Sequence, residues 1–169
     1  MRRSRGGLTG FLLLLLGAWG GLIAFIGPYF HYAYTPDTAW AYTSGRLWME
    51  ILPGAAVFLG GLIIMLTAAR HFAMFGALLA AAAGAWFALG QLLSPLWNHV
   101  PLGGAPAAAG STMRIAEQLG FYSGLGVVIV FLAGIAFGRM LSRPPEAAPE
   151  PDEPYDAATA PTTIQPTAG

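Results

Sequence analysis

Four long apolar stretches constrain this chain more than any other feature. A helix needs about 20 apolar residues to cross a 30 Å hydrocarbon core. Stretches of that length lie at about 8–30, 47–69, 72–94 and 115–137 of the 169 residues. None alternates as a barrel strand does, and lone strands would leave backbone groups unpaired in lipid, so helices are expected. Charged residues are only 9% of the chain, against about 25% in a soluble domain, so lipid is the natural solvent for most of the surface. The fold class expected is an all-α membrane protein, a four-transmembrane-helix bundle of two tandem helical hairpins. The transmembrane domain is placed at 1–143 and a disordered tail at 144–169.

The first stretch starts on Arg2, Arg3 and Arg5, as a secretory signal does. Its apolar run is longer than the roughly 7–15 residues of a signal core, and no small-x-small cleavage site follows. A retained helix is the better reading. Orientation follows from arginines near helix ends. The N-terminus, the Arg70–His71 turn, Arg139 and Arg143 carry six, and the opposite side carries Arg46 and Arg114. Both termini are therefore expected in the cytoplasm of a plasma (inner) membrane protein, with loops at about 31–46 and 95–114 facing outward. Trp40, Tyr42, Trp48 and Trp97 fall near the outer boundary, as an aromatic belt would. The tail holds seven of the thirteen prolines and five of the eight acidic residues. Such a segment buries too little apolar surface to order itself.

The halves look alike. Gly17-Ala18-Trp19 and then Pro28 recur, at one constant offset, as Gly84-Ala85-Trp86 and then Pro95. Arg46 and Glu50 are answered by Arg114 and Glu117, Arg70 by Arg139, and Gly54 by Gly124. A duplicated two-helix hairpin with both copies oriented alike accounts for these matches, with a pseudo-two-fold axis along the membrane normal. Helix association in lipid relies on small residues. The pairs Gly17/Gly21, Gly120/Gly124 and Gly134/Gly138, with the ridge Gly76, Ala80 and Gly84, supply them. The bundle is expected to pack through these faces, with homodimerisation or a larger membrane complex as the sharper alternative.

Intramembrane ionisable groups are functional candidates by default. Glu50 and Glu117 each lie near a helix N-terminus, where the dipole favours negative charge, and each has an arginine on the same face, Arg46 or Arg114. The plain reading is paired interfacial charges that set helix depth. The functional reading puts the two carboxylates across the axis, binding a proton, a cation or a polar head group, with Gln91 lining the same cavity. Pro53 marks the second helix's start or kinks it. His31 and His99 also face outward, but no carboxylate cluster accompanies them, so neither a metal nor a cofactor is expected. The chain has no cysteine, no phosphate loop, no H-E-x-x-H and no G-x-S-x-G. It also has no basic patch for nucleic acid. Gly124-Leu125-Gly126 follows no strand and is no dinucleotide signature. An enzyme is therefore not expected.

The run Ser44-Gly45-Arg46-Leu47-Trp48 through Leu52-Pro53-Gly54-Ala55-Ala56, then Gly84-Ala85-Trp86-Phe87, resembles small four-helix membrane proteins of actinobacteria over about residues 8–140. Ser94-Pro95-Leu96-Trp97 is loosely similar to the SPW-repeat membrane proteins. There, however, Leu96 interrupts the motif, and the spacing from Trp86 to Pro95 is longer than in that pattern. The resemblance implies the fold and brings no activity or catalytic residue. Two functions follow from the residues. One is a non-enzymatic envelope protein packing with itself or a larger complex. The other is a small transporter or channel subunit using Glu50, Glu117 and Gln91.

Overall fold

The computed structural model describes residues 4–35, 38–97 and 102–142. The expectations for the tail at 144–169, for His99, and for Arg2, Arg3 and Arg143 lie outside them. The described chain is helical: α1 (Ser4–Ile26), α2 (Ser44–Arg46), α3 (Leu52–Leu66), α4 (Arg70–Leu93), α5 (Ser111–Phe121) and α6 (Ser123–Leu141). Together with short 3₁₀ and π turns these form four segments long and apolar enough to cross a membrane, Gly7–Phe30, Ser44–Leu66, Arg70–Leu96 and Ser111–Leu141.

The boundaries correct the sequence reading in three places. The second segment starts three residues early, because Thr43 caps it by accepting the Arg46 amide at 3.1 Å, and it ends three residues early, where Thr67 turns extended. The inner turn is Thr67–Ala69, and Arg70 and His71 belong to the first turn of α4. The second and fourth segments are irregular towards their starts. A π turn (Leu47–Ile51) precedes α3, with buried Pro53 just inside that helix. The fourth segment breaks at Tyr122 (φ −129, ψ −81) between α5 and α6.

Glycines set how closely the helices approach. In the first hairpin Gly17 lies against Gly54 and Phe58, and Gly54 against Gly21. In the second, Gly84 lies against Gly126 and Ile129, and Gly126 against Ala88. The hairpins join where Gly60 meets Gly76 and Ala80. A Cβ added at Gly54 would lie 2.6 Å from the Gly21 amide, so a side chain there forces the helices apart. The ridge Gly76, Ala80 and Gly84 thus serves two neighbours, and Gly134 and Gly138 face open space.

Buried positions recur along the chain at fixed offsets. Gly10, Leu13, Gly17, Gly20, Ile23 and Gly27 are buried. So are Ala77, Ala80, Gly84, Phe87, Gly90 and Ser94, which follow them at the offset that separates Gly17 from Gly84. The second and fourth segments keep a longer offset. Met49, Glu50, Gly54, Val57, Gly61 and Ile64 match Phe121, Tyr122, Gly126, Ile129, Ala133 and Ala136 in order and spacing. Additional residues therefore lie between the third and fourth segments. Gly54 corresponds to Gly126 rather than Gly124, and Glu50 corresponds to Tyr122 rather than Glu117. Two tethers follow the same rule: Trp19 Nε1 donates to Gly120 O at 3.2 Å, and Trp86 Nε1 to Trp48 O at 3.0 Å.

At the end where α1 starts and α6 finishes, arginines tie helices together. Arg139 donates to Thr9 Oγ1 at 3.3 Å, and Arg70 to Leu141 O at 3.4 Å.

Candidate functional site

The opposite end carries the connectors 31–43 and 102–110, and the ionisable residues singled out from the sequence lie there. The connectors run antiparallel. Tyr34 bridges Pro106, Thr35 N donates to Ala105 O at 3.0 Å, and Ala107 N to Ala33 O at 3.0 Å. Thr35 Oγ1 accepts the Ala105 amide at 3.0 Å. Gly104 sits beside Thr35 with φ +74, a left-handed conformation suited to glycine.

Glu117 locks this pairing from below. It is fully buried, and its Oε1 and Oε2 accept the amides of Ala33 and Ala108, each at 3.2 Å. One carboxylate thus spans both connectors, with the two acceptor oxygens a carboxylate supplies. Tyr32 Oη donates to Ala116 O at 2.8 Å, and its ring stacks on Phe121 at 5.2 Å. Tyr34 packs on Phe121 and Tyr122, both at 5.0 Å. Burial, and after it the Glu117 carboxylate, push the Tyr34 phenol up to about 12, since both disfavour the charged phenolate. The same two causes raise Tyr32.

Arg46 is 3% exposed. Nη1 donates to Ala41 O at 2.7 Å and Nη2 to Tyr34 O at 3.3 Å, while the guanidinium lies 6.0 Å above the Phe25 ring. It gathers the first connector's carbonyls. Arg114 is exposed on the first turn of α5. The carboxylates do not face each other. Glu117 serves the connectors and Glu50 points to a different partner.

That partner is Tyr122. The π turn carries Glu50 inward to 1% exposure, and π turns often mark functional sites. The break in the fourth segment aims Tyr122 at it, and Tyr122 Oη donates to Glu50 Oε1 at 2.5 Å. Gly103 O is a second acceptor for the same hydroxyl at 3.2 Å. A Cβ at Gly103 would lie 2.8 Å from Tyr122 Oη and overlap the Gln91 amide, so Gln91 belongs to the cluster. Fully buried Ser94 holds its rim: Oγ donates to Gln91 O at 3.0 Å and accepts the Leu102 amide at 3.3 Å. Glu50 Oε2 and Gln91 Nε2 are buried and have no hydrogen-bond partner. An unpaired buried polar atom costs about 1–3 kcal/mol, so this donor and acceptor stand out.

Sequence reasoning placed Glu50, Arg46, Gln91 and Glu117 at this end and missed Tyr122, Tyr34, Ser94 and Gly103. Only the longer offset of the second and fourth segments, with Tyr122 as the counterpart of Glu50, would have found the tyrosine. Among the described residues no three His, Asp or Glu side chains gather as a metal site requires. Compared with family models, curated proteins and solved structures, the chain matches none of them.

Proposed function

We propose that this is a multi-pass plasma-membrane protein with both termini in the cytoplasm, built from a duplicated two-helix hairpin. We propose further that it acts without catalysis, presenting its outward end to other envelope components or to a second copy. The observation that carries this reading is the double lock of the connectors, by backbone pairing and by Glu117. It makes that end a preformed surface, and preorganisation removes ordering costs from binding. Exposed Trp40, Tyr42 and Trp97 ring it, residue types that act as anchors at interfaces. Reporter fusions at Thr43, at Ser111 and after Gly169 are expected to read outside, outside and inside. In-cell photo-crosslinking from Trp40 and Tyr42, with native mass spectrometry, is expected to return a discrete complex. An external C-terminal reporter would overturn the orientation, and a bare monomer with no crosslinked product would overturn the interaction reading.

A second reading, a small carrier of protons or cations, is favoured by Glu50 Oε2. It is an acceptor with no partner, buried where the two halves meet, the place transporters built from repeats use for binding. The two carboxylates are expected to separate in reconstituted vesicles. Glu50→Gln should drop proton or cation flux to the lipid background, and Glu117→Gln should leave flux measurable. Flux unchanged by Glu50→Gln removes this reading.

A further inference from the structure

Two cavities between the second and third segments share Trp48 and Trp86. The upper, about 530 Å³, lies among Ser44, Trp48, Trp86 and Trp97. The lower, about 370 Å³, runs along Trp48, Pro53 and Ala56 on one side and Trp86, Ala83, Ala82 and Leu79 on the other. They make one slot. Its walls are fixed, because Trp86 Nε1 is held by Trp48 O and the Trp86 ring stacks on Trp97 at 5.9 Å and 17°. Deeper along the same helix pair, Gly60 meets Gly76 and Ala80. From Ser44 to Ala56 a helix rises about 18 Å, close to the roughly 15 Å of one leaflet's hydrocarbon.

The corresponding place in the other half of the molecule is filled differently. In the register given by burial, Ala82 and Ala83 correspond to Leu15 and Leu16, and Ala56 corresponds to Val128. Where one side of the bundle has branched side chains, the other has three alanines and a cavity below a pair of indoles. The slot is polar only at its top, at Ser44, and apolar below. It opens sideways along the surface of the bundle, where Trp48 and Leu52 are exposed.

We propose that this slot holds one hydrocarbon chain of a lipid from the outward leaflet, with the lipid's polar part at Ser44 and Trp97. The proposal rests on the membrane reading. Any occupant at that depth comes from the bilayer, and a narrow apolar groove about one leaflet long fits a single chain better than a partner helix, which would need a continuous face.

The test uses the full chain, delipidated in mild detergent and titrated with dioleoyl phosphatidylglycerol under native mass spectrometry. The wild type is expected to saturate at one lipid per chain. Ala56→Val with Ala82→Leu and Ala83→Leu installs the side chains its other half already carries, so it is expected to fold. It should bind about tenfold more weakly or worse, since a single methylene in an apolar pocket changes affinity by about tenfold or more. Ala82→Leu alone should lose affinity in the same direction, and Leu59→Ala, on an exposed part of α3, should lose none. No saturable one-to-one binding, equal binding by the triple variant, or an equal loss in Leu59→Ala would each overturn the proposal. The membrane reading fails separately, if alkaline carbonate strips the chain from membranes.

Discussion

Glu117→Ala is expected to destabilise the protein by about 2–4 kcal/mol and to unlock the two connectors from each other. The magnitude follows from what the carboxylate does. It accepts two backbone amides from segments far apart in sequence, Ala33 and Ala108. The Ala33 amide is buried and Ala108 only partly so. Losing its acceptor therefore carries the full desolvation cost at Ala33, whereas water reaches Ala108 at a lower cost. Glu117→Gln separates geometry from charge. Its single amide oxygen still accepts one of the two N–H groups, but its own NH₂ then faces the other, donor against donor. The glutamine variant should fall between wild type and alanine. Hydrogen exchange read by mass spectrometry gives the local signature: peptides covering 31–35 and 105–109 should speed up together, while those from α3 and α4 change little. Exchange rising uniformly through the helices would show that Glu117 supports the whole fold and not the cap.

The sequence made some of this legible, for reasons that lie in particular residues. Apolar runs long enough to span a bilayer are hard to misread, and the four segments came through with small shifts at their ends. The shift in the second came from Thr43, an ordinary N-cap that apolar counting does not weigh. The burial pattern shared by the first and third segments was partly legible, because Gly17-Ala18-Trp19 and Gly84-Ala85-Trp86 hold packing positions at one spacing. The second and fourth segments misled because charge was matched to charge. Arg46 with Glu50 and Arg114 with Glu117 look alike in sequence. Packing instead sets Glu50 against Tyr122, and the additional residues before the fourth segment's core lift Glu117 into the connectors. Residues that perform one job on opposite sides of an approximate axis need not be chemically alike, and an acid can face a phenol. The pairing of the connectors was not legible, since it depends on backbone groups of Ala33, Thr35, Ala105 and Ala107, whose side chains carry no signal.

Tyr122→Phe is expected to destabilise the protein by about 2–3 kcal/mol, and adding Glu50→Met is expected to recover most of that loss. The hydrogen bond is not the source of such a cost. Side-chain hydrogen bonds within membranes average only about 0.6 kcal/mol in double-mutant cycles. The cost arises because Tyr122 Oη is the partner of Glu50 Oε1, while Oε2 already has none. Removing the hydroxyl strands a carboxyl group at 1% exposure with neither oxygen paired. Methionine is close to glutamate in length and takes the carboxyl away, so the double variant has an apolar pair where the single variant has a stranded acid. Unfolding in mixed micelles, followed by tryptophan fluorescence, measures all four corners of the cycle. If Glu50 is there to support the bundle, Glu50→Met alone should cost as much as Tyr122→Phe. If it is held for a task, Glu50→Met should be the mildest of the three variants in stability, because the fold gains by losing a half-satisfied acid. Since burial sets Glu50 opposite Tyr122 across the two halves, such a result would mean that the contact between them is kept at the expense of stability.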